Sequence, residues 1–238
     1  MNKMLLLKNL ADELNICISD NQLEQFYNYY RLLIEWNEKI NLTAITEFED
    51  VLIKHFLDSI SLMNYFSFDK DNKILDIGTG AGFPGIPLKI MYPEVEFTLL
   101  DSLNKRIIFL DEVIKKIGLH NINTIHGRGE DLAMDLHHRE SYDFVVSRAV
   151  ANLSSLSEIS IPFLKIGGKF IAYKADKAQE EIQLSNHVFP ILGAKYINTN
   201  HFYLAGTDME RNFVEIEKIT ETVMKYPRKA GTPFKKPL

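Results

Sequence analysis

Apolar positions recur with two different periods along this 238-residue chain, and the change falls near residue 70, at "FDKDNK". Ahead of it, Leu23, Phe26, Tyr27, Tyr30, Leu33 and Ile34 repeat at helical spacing, and Val51, Leu52, His55, Phe56 and Ser59 form a similar stripe. Each stripe follows a capping-box pattern, "SDNQ" at Ser19 to Gln22 and "TEFE" at Thr46 to Glu49. From Lys73 onward short apolar runs ("KILDIG", "EFTLLD", "INTIHG", "YDFVVSRAV", "KFIAYKA") alternate with helical segments such as "NKRIIFLDEVIKKIG" and "GEDLAMDLHH". That alternation predicts parallel strands joined by helical crossovers. "YINTNHFYLA" and "NFVEIEKI" have only a polar turn between them, so they are expected to close the sheet as an antiparallel hairpin. The prediction is a helical extension over residues 1–70, followed over 71–238 by an α/β unit with a mostly parallel, seven-stranded sheet and a basic tail.

Composition agrees with a globular chain, at 46% hydrophobic and 25% charged residues. The single cysteine, Cys17, allows no disulfide within the chain and no cysteine-held zinc. The opening "MNKMLLLKNLADELN" has too short an apolar run for a signal peptide, and no run approaches bilayer length. A cytoplasmic protein without membrane or metal partners is expected. Charge is segregated. The net charge is −5, yet the last seventeen residues hold Lys225, Arg228, Lys229, Lys235 and Lys236 and no acid; without these five charges the remainder carries −10.

The densest chemistry lies in "KILDIGTGAGFPGIPLKI", residues 73–90. In open α/β sheets ligands bind beyond the carboxyl ends of the strands, near the reversal of strand order. Gly80, Gly82 and Gly85 satisfy a dinucleotide pattern, G-x-G-x-x-G. Pro84 interrupts it, and Asp76 just before the turn is unfavourable for a pyrophosphate. The same stretch reads as an S-adenosylmethionine turn, an apolar strand ending in an acid and then Gly78, Gly80 and Gly82. That cofactor carries a cationic sulfonium and an ammonium, which a nearby acid favours, and bare glycine backbone lets its amino-acid end approach. Pro84 then suits the first turn of the next helix. Asp101, ending the second strand, can accept ribose hydroxyls in either case. Gly129 and Glu130 in "HGRGED" end the third strand where an adenine would lie, unless Glu130 merely favours a helix N-terminus. Arg148 ends the fourth, as a site residue or a salt-bridge partner. His55 and Asp58, one turn apart, fit either a functional pair or a core-edge histidine bonded to a carboxylate.

Elimination narrows the methyl acceptor. Methylation of carbon-5 of a pyrimidine needs a cysteine nucleophile, and the only cysteine lies in the helical extension. Exocyclic-amine methylation commonly uses an Asn/Asp-Pro-Pro-aromatic loop after the fourth strand, where this chain reads "SRAVAN". An acceptor that needs little activation fits, such as guanine N7 with its free lone pair; catalysis would then be mostly positioning.

"NLTAITEFEDVLIKHFLDSI", "ILDIGTGAGFPGIPLKI", "HGRGED", "YDFVVSRAVANL" and "YPRKAGTPFKKPL" together resemble the bacterial RsmG family, also called glucose-inhibited division protein B, from about residue 36 to the C-terminus. The resemblance implies a Rossmann-like class I methyltransferase fold and S-adenosylmethionine-dependent N7 methylation of one guanine in 16S rRNA, free or within an assembling small subunit. It also implies cofactor contacts at Gly78, Phe83, Gly129 with Glu130, and Arg148. Gly129 stands where the family commonly has alanine, which would loosen the following helix. The resemblance assigns the basic tail, with Arg228, Lys229, Lys235 and Lys236, to RNA, leaving the donor pocket to the sheet. The prolines of the tail are expected to hinder helix formation. The alternatives are a methyltransferase with another RNA, protein or small-molecule acceptor, a binding module without catalysis, and a nicotinamide reductase.

Overall fold

The computed structural model describes residues 4–148 and 151–238, so Ala149 and Val150 of the "SRAVAN" loop lie outside the described residues. The chain opens with α1 (Leu5–Glu13) and α2 (Asp20–Ile40). The first capping box forms: the Ser19 hydroxyl accepts from the Gln22 N–H, and the Gln22 side chain accepts from the Ser19 N–H. The second does not. Helix α3 (Phe48–Val51) starts one residue late, with Glu47 in the cap position and no side-chain cap. Glu49 is then too early in the helix to reach back. The stripe continues as a wide π-helical turn, Leu52–Leu57, then α4 (Asp58–Ile60) and a 3₁₀ turn, Ser61–Asn64.

The α/β unit runs β1 (Lys73–Ile77), α5 (Gly85–Met91), β2 (Glu96–Asp101), α6 (Asn104–Ile117), β3 (Ile122–His126), α7 (Gly129–Leu132), β4 (Tyr142–Arg148), α8 (Leu153–Ser160), β5 (Leu164–Lys174), α9 (Ala178–Ser185), α10 (Val188–Ile191), β6 (Ala194–Tyr203) and β7 (Glu210–Lys218); α11 (Thr232–Lys235) lies in the tail. The seven strands are ordered β3-β2-β1-β4-β5-β7-β6. The five strands β1 to β5 pair in parallel, and β7 pairs antiparallel with both β5 and β6. This is the expected mostly parallel sheet with its closing hairpin. Strand order reverses between β1 and β4, whose carboxyl ends therefore open the ligand crevice.

Helix α7 is shorter than the pattern "GEDLAMDLHH" suggests. Beyond it the Asp135 carboxylate accepts from the His137 N–H at 2.9 Å, a local bond that competes with helix continuation. The N-terminal helices share one core with α5 and α6: Leu7, Phe26, Tyr29, Leu33 and Phe56 pack with Ile86, Ile90, Phe109 and Val113. Trp36 of α2 lies against Phe109 of α6, ring centroids 5.8 Å apart. The opposite face of the sheet is covered by α8, α9 and α10 through Leu156, Ile159, Ile182 and Phe189.

Candidate active site

Two cavities open at the carboxyl edge of the sheet, on either side of the β1/β4 boundary. The first, about 290 Å³, is lined by Gly78 after β1, Asp101 at the end of β2, Gly129 and Glu130 after β3, and Leu156 and Ile159 of α8. Four of the sequence-predicted cofactor residues thus meet in one place. Gly78 and Gly80 have φ of +69° and +62°, the left-handed region that glycine tolerates without a Cβ penalty. The Gly80 N–H donates to Asp101 Oδ2 at 2.9 Å, and the Leu103 N–H donates to Oδ1 at 2.9 Å. Asp101 is thereby fixed at the cavity wall, with Arg106 Nη1 3.1 Å from Oδ2.

Gly129 has a packing reason beyond smallness. A Cβ there would sit 2.4 Å from Ile159 Cγ2, so alanine would require the Ile159 side chain to shift. Gly82 also has a packing reason to lack a side chain. A Cβ on it would lie 2.7 Å from the Tyr29 hydroxyl, so its bareness admits helix α2. Pro84 precedes α5 as its cap residue, after a cis Phe83–Pro84 bond, instead of entering the first turn.

Asp76 points from β1 toward α5 and is fully buried. Its Oδ2 accepts from Thr79 Oγ1 at 2.7 Å and the Gly85 N–H at 2.8 Å; Oδ1 has no hydrogen-bond partner among the described residues. Burial pushes this carboxyl up to about 7, against the two hydrogen bonds and the charge of Arg148.

The second cavity, about 590 Å³, is lined by Lys54, His55, Asp58, Arg148, Lys174 and Arg211 among others. Arg148 belongs here rather than to the first cavity. Its Nη1 donates to Asp58 Oδ2 at 2.8 Å, and Arg211 Nε donates to Asp58 Oδ1 at 2.6 Å. The buried Asp58 carboxylate is therefore clamped by two guanidiniums from β4 and β7. The salt-bridge reading of Arg148 is realised, with a partner from the helical extension. Arg148 Nη2 lies 3.2 Å from His55 Nδ1. A guanidinium only donates, so Nδ1 accepts, and the His55 proton sits on Nε2, 2.8 Å from Thr43 Oγ1. Burial first, then the charge of Arg148, lowers His55 to about 3, so it is neutral near pH 7. Phe83 lies beneath: His55 stacks on it at 4.4 Å, and the Arg148 guanidinium sits 5.0 Å from its ring centre. Phe83 thus supports the second cavity and does not line the first.

The tail departs most from expectation. Arg228 is engaged within the fold, its Nη2 and Nε donating to the two oxygens of the fully buried Glu158 at 2.6 and 2.8 Å. Pro233 enters the first turn of α11 and does not prevent that helix. Phe234 lines the first cavity, so that cavity is not made by the sheet alone. Lys225, Lys229, Lys235 and Lys236 remain exposed. Sequence reasoning missed Glu158, Arg211 and Arg139, which donates to the carbonyls of Thr222 and Tyr226. The available signal for Glu158 was a lone acid in the otherwise small and apolar helix "LSSLSEIS", a position that requires a cation once buried.

Among the described residues no helix is long and apolar enough to cross a membrane, and no group of three or more potential metal ligands occurs. The family model described as "GidB: rRNA small subunit methyltransferase G" matches residues 22–214. The ribosomal RNA small subunit methyltransferase G of Alkaliphilus metalliredigens is 48% identical over 238 residues, covering 100% of both chains. That of Lachnoclostridium phytofermentans is 51% identical over 232 residues, 98% of this chain and 94% of its own. Among solved structures, a SAM dependent methyltransferase from Aquifex aeolicus superposes with TM-score 0.52 at 14% identity, covering 71% of this chain and 93% of that one. M. jannaschii TYW2 in complex with AdoMet gives TM-score 0.52 at 19% identity, over 65% of this chain and 72% of that one. At these identities the two structures speak to the fold, that of S-adenosylmethionine-dependent methyltransferases. Sequence, fold and cavities agree: the chain belongs to the rRNA small subunit methyltransferase G family.

Proposed function

We propose that this chain methylates N7 of a guanine in 16S rRNA, in the bacterial cytoplasm, with S-adenosylmethionine held in the first cavity and the acceptor base in the second. The observation that carries the reading is the convergence of Gly78, Asp101, Gly129 and Glu130 on one cavity at the strand-order reversal, in a chain of this family. The residues suit the cofactor. Left-handed glycine backbone admits its amino-acid end, and Asp101, already oriented by two backbone N–H groups, presents a carboxylate to a ribose. Held there by Gly78, Asp101, Gly129 and Glu130, the cofactor would supply an electrophilic methyl group. N7 has no proton to lose, so the protein acts chiefly by positioning. Arg148, immobilised by Asp58 and His55, lines the second cavity beside Lys54, Lys174 and Arg211, whose charges are met by Asp50, Glu181 and Asp58.

Mass mapping of rRNA nucleosides from cells with and without the gene tests the reaction; persistence of every N7-methylguanosine in 16S rRNA without it would sink the reading. Asp101→Ala should remove charge-assisted hydrogen bonds worth about 1.5–3 kcal/mol and weaken cofactor binding by about one to two powers of ten. Calorimetric titration checks this, and unchanged affinity would move the ribose contact elsewhere.

The exposed Lys225, Lys229, Lys235 and Lys236 are assigned to RNA phosphates, and Arg228, occupied by Glu158, is removed from that set. At roughly 0.7 per neutralised phosphate on single-stranded RNA, replacing all four lysines should flatten the slope of log affinity against log salt by at most about 2.8. A slope equal to that of the native chain would end the assignment.

A further inference from the structure

The C-terminal segment is a strap fastened across α8, and its fastenings are specific. Besides the Arg228–Glu158 pair, Ser155 Oγ donates to the Pro233 carbonyl at 2.7 Å. Ser154 Oγ donates to a main-chain carboxylate oxygen of Leu238 at 3.1 Å, and the Gly231 N–H donates to Glu130 Oε1 at 2.7 Å. Glu130, expected beside the adenine, therefore also ties the strap to the cavity rim. Between these fixed points Phe234 reaches the first cavity, whose other apolar wall is formed by Leu156 and Ile159. Yet its side chain remains 43% exposed, so burial of this ring is not what holds the strap in place. A phenyl ring fixed at the mouth of a nucleoside-sized cavity and still open to water is poised to gain contact when a flat heterocycle enters.

We propose that Phe234 is a cofactor-binding residue: its ring covers the adenine of S-adenosylmethionine and closes the donor cavity toward solvent. The proposal rests on the reading of the first cavity as the donor site. Aromatic side chains contribute strongly to binding of nucleobases through stacking and exclusion of water.

The test is calorimetric titration of the full-length chain with two probes that share the adenosine moiety, S-adenosylhomocysteine and 5′-methylthioadenosine. Phe234→Ala is expected to weaken both by about the same factor, tenfold or more, with the unfolding temperature of the ligand-free protein near that of the native chain. Phe234→Tyr should bind both within about twofold. Phe234→Leu keeps a bulky apolar side chain but lacks a ring, and should still bind measurably more weakly. If Phe234→Leu and Phe234→Ala bind both probes as tightly as the native chain while Asp101→Ala does not, the proposal is overturned and the donor-site reading stands. If Asp101→Ala also binds normally, the donor-site reading itself fails.

Discussion

Arg228→Ala is expected to lower the stability of the fold by about 3 kcal/mol, the lower end of what breaking a buried ion pair costs. Glu158 is fully buried on α8, and the Arg228 guanidinium meets both of its oxygens. Removing the cation leaves a carboxylate inside the packing of α8, though water reaches it through the space vacated, which limits the loss. For a chain of this size the loss corresponds to a fall in unfolding temperature of about 6–12 °C. Converting both residues together to leucine should recover much of it, because an apolar pair carries no desolvation penalty. Calorimetric unfolding of the single and double variants decides the matter. A single variant as stable as the native chain would mean that the pair is solvated and the strap loosely held.

The second large effect is a dependence of stability on pH that traces to Asp76. Its carboxyl is raised from an ordinary 3.8 to about 7, with burial as the largest cause. Between those values the folded protein retains a proton that the unfolded chain has lost. The contribution is therefore fully present below about pH 4 and disappears as pH rises through about 7. Relative to Asp76→Asn, which cannot titrate, the native chain should lose about 2–3 kcal/mol of stability between pH 5 and pH 8. Denaturant unfolding of both proteins across that range measures the difference. Parallel curves would show that Asp76 is ionised throughout, with its unpartnered Oδ1 reached by water.

Local signals made the frame of this molecule readable. Period-two runs and helical stripes located the strands and major helices, the turn between "YINTNHFYLA" and "NFVEIEKI" predicted the hairpin, and Ser19 with Gln22 specified a real cap. Glycine spacing and strand ends brought Gly78, Asp101, Gly129 and Glu130 to one cavity. What escaped depends on partners far away in sequence. Asp58 is paired with Arg148 and Arg211, and Glu158 with Arg228, and no periodicity relates such positions. Nothing local announces the approach of Tyr29 to Gly82. Nothing in the prolines and lysines of the tail announces that it is fastened to the fold, because the groups that fasten it belong to α8 and to Glu130.

Trp36 is the sole tryptophan of the chain, half-buried where α2 meets Phe109 of α6. Its position turns ordinary fluorescence into a site-specific probe of that contact. Excitation at the red edge of protein absorbance reports on one indole, without the averaging that several tryptophans impose. Its emission maximum tracks whether the N-terminal helices remain seated on the α/β unit, while far-ultraviolet ellipticity follows the helices and strands of the whole chain. Because both layers contribute to one apolar core, the two signals recorded on a single denaturant series should share a midpoint. Cofactor or RNA that tightens the assembly will move that midpoint without a dye, a label or an added chromophore.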